Sequence, residues 1–169
     1  MKLFRFILPI LLVCCLAVGV SANDELTLFD EDTYSDMHAY TISVDGIYLD
    51  TSALPFSAYE VGGDDVTDLM VPLRLICESL GYMVSWDEAS QLITVDDGVQ
   101  VMTLKEGAME LAFTGKMGLT SLDRVMPLAF PVVIHNWYTY VPLSLFDCLF
   151  TETEVAYGVV YVNNLLTEN

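Results

Sequence analysis

The sequence predicts an α+β fold: antiparallel β-sheets with two short helices packed on them, from a duplicated β-β-α-β-β unit. Three observations carry this. Val71-Pro72-Leu73-Arg74-Leu75 returns as Val141-Pro142-Leu143-Ser144-Leu145, each copy behind a strand-like run and a further proline. After each Val-Pro-Leu the apolar residues take helical spacing. Elsewhere, turn dipeptides such as Asp45-Gly46, Asp97-Gly98 and Thr114-Gly115 cut the chain into short alternating runs.

The first helix is the better defined. Pro72 suits a first helical turn, because its missing N–H has no partner there in any case. Leu73, Ile76, Cys77 and Leu80 fall at i, i+3, i+4 and i+7, one apolar stripe. Arg74 and Glu78 face away from it at the spacing of an i, i+4 pair. Gly81 ends the helix.

In chain order, the first element is a hairpin. Tyr40, Ile42 and Val44 alternate with polar residues before the Asp45-Gly46 turn, and residues 47–49 return. Residues 54–56 read as extended and 62–68 as an acidic loop. Helix one feeds a hairpin of 83–86 and 92–95, in which Trp86 is expected in the core. Strands at 99–104 and 109–113 follow, then a loop and edge strand over 116–130. The second unit opens with a strand at 131–134, a turn at His135-Asn136 and a strand at 138–140. Helix two comes next, with Thr151 near its glycine-less end, then a hairpin around Gly158. The two repeats are set at about 40–104 and 105–165. Repeat one carries six more residues between its two prolines, and they hold the 62–68 loop.

Residues 1–22 have the layout of a secretory signal peptide: Lys2 and Arg5, an apolar run over 6–18, then Val20-Ser21-Ala22 before Asn23-Asp24-Glu25. Cleavage after Ala22 is expected; an uncleaved anchor, or lipid attachment at Cys14 or Cys15, are the alternatives. The processed chain is then secreted or held at the cell surface, with no stable membrane insertion, since no second apolar run approaches a bilayer's span. Residues 23–39 form a flexible acidic leader.

Charge limits the partners. All 24 acidic residues lie beyond Ala22, where only Arg74, Lys105, Lys116 and Arg124 are basic, leaving a charge of −20. Nucleic acid needs clustered cations and is excluded; anionic glycans and lipids are disfavoured. The partner expected is a surface or extracellular protein or glycan.

Cys77 and Cys148 are the cysteines beyond the signal, read either as two buried thiols or as a disulfide.

The pieces Val44-Asp45-Gly46, Val71 to Arg74, Glu78, Leu80-Gly81, Val84, Trp86-Asp87 and the second Val-Pro-Leu together resemble the family named for the N-terminal stalk domain of copper amine oxidases. Leu104, Gly107 and Thr114-Gly115 resemble its connecting segment. The resemblance covers about residues 40–162. It implies an antiparallel sheet carrying helices, in secreted or surface proteins of bacteria. Ser144 departs from the pattern where the first helix has Arg74.

No oxidase chemistry follows from this. A copper site needs several imidazoles, and the only histidines are His38, in the leader, and His135, at a turn. No serine has a nucleophile-elbow context, and Cys77 has no basic neighbour to activate it. No cofactor is expected. Asp64, Asp65 and Asp68 are weak candidates for a cation site, with a solvated loop as the alternative. Trp137, Tyr138 and Tyr140 are the candidate binding surface. The reading is a non-catalytic secreted or surface module of a bacterium, not an enzyme. The alternative is a small carboxylate-dependent hydrolase of cell-wall or glycan material.

Overall fold

The computed structural model describes residues 40–62, 67–116 and 123–165. The proposed signal, the acidic leader, Asp64 and Asp65 therefore lie outside the described residues. The α+β expectation is overturned. Strand accounts for 53% of the described residues and helix for 11%, in three sheets and two short helices. The strands are β1 (Thr41–Val44), β2 (Ile47–Tyr48), β3 (Tyr59–Gly62), β4 (Thr67–Pro72), β5 (Met83–Asp87), β6 (Leu92–Asp96), β7 (Gln100–Leu104), β8 (Glu110–Gly115), β9 (Arg124–Pro127), β10 (Val133–His135), β11 (Tyr138–Pro142), β12 (Thr151–Ala156) and β13 (Val159–Asn164). Helix α1 (Leu73–Ser79) follows β4, and a 3₁₀ helix (Leu143–Cys148) follows β11. Two helices of seven and six residues cannot form a layer; buried residues of all three sheets and of both helices join in one hydrophobic core.

The largest sheet is a meander in the order β5-β6-β7-β8-β9. Its inner face alternates along each strand: Ile93 and Val95, Met102 and Leu104, Leu111 and Phe113 are all buried. The predicted hairpin and the two strands after it thus stand, and the 116–130 stretch supplies edge strand β9. A second sheet has the order β10-β11-β4-β3. The third, β12-β13-β1-β2, departs from the antiparallel expectation. There β1 lies parallel to β13, with Ile42 beside Val160 and Val44 beside Val162, all buried. Residues 54–56 form no strand, but Phe56 is buried nonetheless.

Helix α1 forms as its spacing predicts. Pro72 caps it in extended conformation, and Leu73, Ile76 and Cys77 are fully buried. Arg74 Nη1 donates to Glu78 Oε1 at 3.0 Å and to the Val84 carbonyl at 2.8 Å, tying the helix to β5. Gly81 adopts φ +83°, its N–H donates to Glu78 O, and Tyr82 N–H reaches back to Cys77 O. That is a Schellman closure, which strongly favours glycine at this position. The second helix lacks such a glycine and winds only as 3₁₀. Phe150, not Thr151, takes the left-handed conformation after it, at φ +56°. The Thr151 hydroxyl donates to Phe146 O instead.

Cys77 and Cys148 are free thiols, the former buried and the latter half-buried. Burial pushes both thiols up, further from the thiolate a nucleophile requires. Among the described residues no helix is long and apolar enough to cross a membrane.

Candidate functional site: an open cleft with two tryptophans

A cleft of about 880 Å³ opens beside α1. Its floor is apolar, made by Pro72, Leu73, Val84, Ile93 and Ile134. These are the outward edges of residues already placed by helix packing and by β-alternation. Its rim comes from five separate stretches. The exposed face of α1 supplies Arg74 and Glu78; β5 and the turn after it supply Trp86 and Gln91. Lys105 and Glu106 enter from the loop after β7. Trp137, Tyr138 and Thr139 enter from the β10–β11 hairpin, and Asp50 from the chain after β2.

Both tryptophans of the chain therefore stand in one cleft, and both are exposed: Trp86 at 44% and Trp137 at 97%. An indole buries more apolar area than any other side chain, so leaving both in water forgoes stabilisation. The expectation for Trp86 was the core, and that is corrected. In β5 only Val84 turns a half-buried side toward the core, because β5 is the edge strand of its sheet and the floor of the cleft lies beneath it.

The candidate binding surface of the sequence divides. Trp137 and Tyr138 line the cleft, Tyr138 at 37% exposure. Tyr140 does not: it is fully buried. Its hydroxyl donates to Phe56 O at 2.8 Å and accepts from Phe56 N–H at 3.2 Å. Its ring packs with those of Phe56 and Tyr59. Period-2 alternation puts Tyr138 and Tyr140 on the same face of β11, but β3 and the Phe56 segment cover only the second of them. His135, expected at a turn, is half-buried at the end of β10 with its ring 4.9 Å from that of Phe56.

The electrostatics of the rim are nearly balanced. Two cations, Arg74 and Lys105, stand with three carboxylates, Asp50, Glu78 and Glu106, on a chain of formal charge −18. Glu78 is held by Arg74. Hydrogen bonds from Ser52 hold the Asp50 carboxyl below the usual range, so it stays ionised.

Asp68 is occupied. It accepts from Leu69 N–H at 2.7 Å and from the Ser144 hydroxyl at 2.5 Å, so it bridges β4 to the second helix. Among the described residues no group of three histidine, cysteine or acidic side chains could hold a metal.

Of the rim, only Trp137 and Tyr138 were singled out by the sequence as a site; Arg74, Trp86, Gln91 and Lys105 are among those that were not. One signal was available for the hairpin. Asn136 and Trp137, at φ +49° and +71°, are the two central residues of the β10–β11 turn, which pairs His135 with Tyr138. A two-residue turn that places tryptophan where glycine is favoured marks an unusual side chain.

One protein family matches the chain, that described as copper amine oxidase N-terminal domain, over residues 44–153. No curated protein and no solved structure gives a match.

Proposed function

Because the chain belongs to the copper amine oxidase N-terminal domain family, a non-catalytic accessory domain, we propose that it works as a binding module whose ligand lies in the cleft beside α1. One observation carries this reading: the only two tryptophans of the chain share one open cleft, both in contact with water. The matched residues include α1, both sides of the β5–β6 hairpin and the β10–β11 hairpin, so the cleft belongs to the family's segment. A secreted or surface location is part of the proposal and rests on the signal-like residues 1–22. The duplication is also part of it: the two proline-capped helices leave paired strands, β4 and β11, in opposite directions.

The carboxylates support binding rather than hydrolysis. A general acid needs a carboxyl held protonated near neutral pH. Of the three cleft carboxylates, Asp50 is displaced in the other direction and Glu78 is paired with a guanidinium, so neither of these two meets that need.

The test is intrinsic tryptophan fluorescence of the whole chain, titrated with fractionated bacterial extracellular and cell-wall material. A saturable change is expected, and binding of the same material, read by covalent footprinting at Tyr138, should be lost in a Trp86→Ala, Trp137→Gly double variant. If footprinting shows that material protects the protein without shielding Tyr138, the cleft is not the binding site.

A further inference from the structure

Among the described residues, three two-residue hairpin turns have positive φ at both central residues, the type I′ pattern. They are Asp45-Gly46, Tyr157-Gly158 and Asn136-Trp137, with second-position φ values of +78°, +76° and +71°. Glycine fills that position twice. At the third stands tryptophan, a residue whose Cβ makes left-handed backbone costly and whose ring is 97% exposed, so packing returns nothing for the strain. The strained residue points its indole at the cleft. Gln91, at φ +53°, is a second left-handed side chain on the same rim. Strain that persists at a ligand-facing position, while the same fold uses glycine at equivalent turns, indicates selection for the side chain itself.

What would such a rim hold? The faces offered are indole and phenol rings, flat and apolar, and they suit a ligand with flat apolar faces of its own. Around them sit planar polar groups, those of Arg74, Glu78, Gln91 and Glu106, able to make paired hydrogen bonds. The charges nearly cancel on an otherwise strongly acidic chain, so the rim holds no marked excess of either sign with which to select an ionic ligand. A volume of about 880 Å³ lies in the range of ligand pockets. Pyranose rings meet these terms: each has a C–H face that packs on an aromatic ring and a periphery of uncharged hydroxyls. We infer that the cleft is a binding site for an uncharged oligosaccharide, stacked on Trp137 and Trp86, with Trp137 held in a glycine position for that contact. This rests on the binding-module reading above and names its ligand class.

The experiment uses the whole chain with tryptophan indole N–H signals followed by NMR, and as probes β-1,4-linked tetramers of glucose and of N-acetylglucosamine. Saturable shifts of both indole signals are expected with at least one tetramer. Trp137→Gly should weaken that binding at least tenfold while raising the melting temperature, because the turn gains the residue it favours. Trp137→Tyr, which keeps a ring, should retain part of the affinity and show no such rise. A merely structural tryptophan would lower the melting temperature when replaced by glycine, and that result overturns the inference. If neither tetramer moves the indoles but a random-sequence peptide library does, the glycan assignment falls and the cleft remains a binding site. If neither sugar nor peptide moves them, both readings fall.

Discussion

Val71 and Val141 stand directly opposite each other in the antiparallel pair of β4 and β11, both fully buried. Each is the residue before the proline that caps a helix. About this pair the register is symmetric, Pro72 facing Tyr140 and Pro142 facing Met70, so the two helices depart from opposite ends of one ladder. This ladder is thus a buried contact between the two Val-Pro-Leu stretches of the sequence.

Truncating either valine should therefore do more than remove a methyl pair. Val71→Ala and Val141→Ala should each destabilise by about 1.5–3 kcal/mol in urea unfolding. Because the two side chains share one cavity, the double variant should depart from additivity by about 0.5 kcal/mol or more. Strict additivity would mean that each is packed by its own helix and not by the other strand.

The Tyr140 hydroxyl closes both hydrogen bonds to Phe56 across 84 residues of chain. Tyr140→Phe keeps the ring packing and removes both bonds, an expected cost of about 1–3 kcal/mol. The hydroxyl also sets a pH limit. Burial pushes it up to about 12, and burial pushes that of Tyr82, which donates to Leu149 O, to about 12 as well. A raised folded-state value means that the folded chain keeps protons the unfolded chain has released. The stabilisation is complete below the unfolded value of about 10 and is lost as pH rises toward 12. Melting temperature should fall from pH 10 upward, and less steeply in a Tyr82→Phe, Tyr140→Phe chain. An unchanged slope in that variant would assign the alkaline loss to other groups.

Tyr157 supplies a control for turn strain away from the cleft. It sits at φ +52°, the first central position of the β12–β13 turn, with its side chain fully in solvent. Asparagine tolerates this backbone far better, so Tyr157→Asn should stabilise by about 1 kcal/mol. No gain in thermal melting would show that exposed side chains at these turns carry no strain to release.

What the sequence by itself determined was local. The Pro72 start, the Leu73–Ile76–Cys77 stripe and the Gly81 end needed only neighbours within one turn of helix, and all three stand as read. The Asp45-Gly46 hairpin and the alternation of Ile93 and Val95, or Leu111 and Phe113, were legible for the same reason. The second helix was legible in place but not in kind, because without a closing glycine its last turn depends on Thr151 and Phe150 packing against what surrounds them.

Tertiary structure alone decided the rest. Pairing β1 with β13 joins residues more than a hundred positions apart, and nothing in either run distinguishes a parallel partner from an antiparallel one. That distant pairing helps explain why three sheets replace the expected helix-bearing sheet. Tyr138 and Tyr140 alternate identically in sequence, yet one lines a cleft and the other a core, since burial depends on which distant segment lies over each. Trp86 reads as core by composition and is exposed because its strand became an edge. The cleft draws its rim from stretches between Asp50 and Thr139, so its chemistry exists only once the sheets have brought them together.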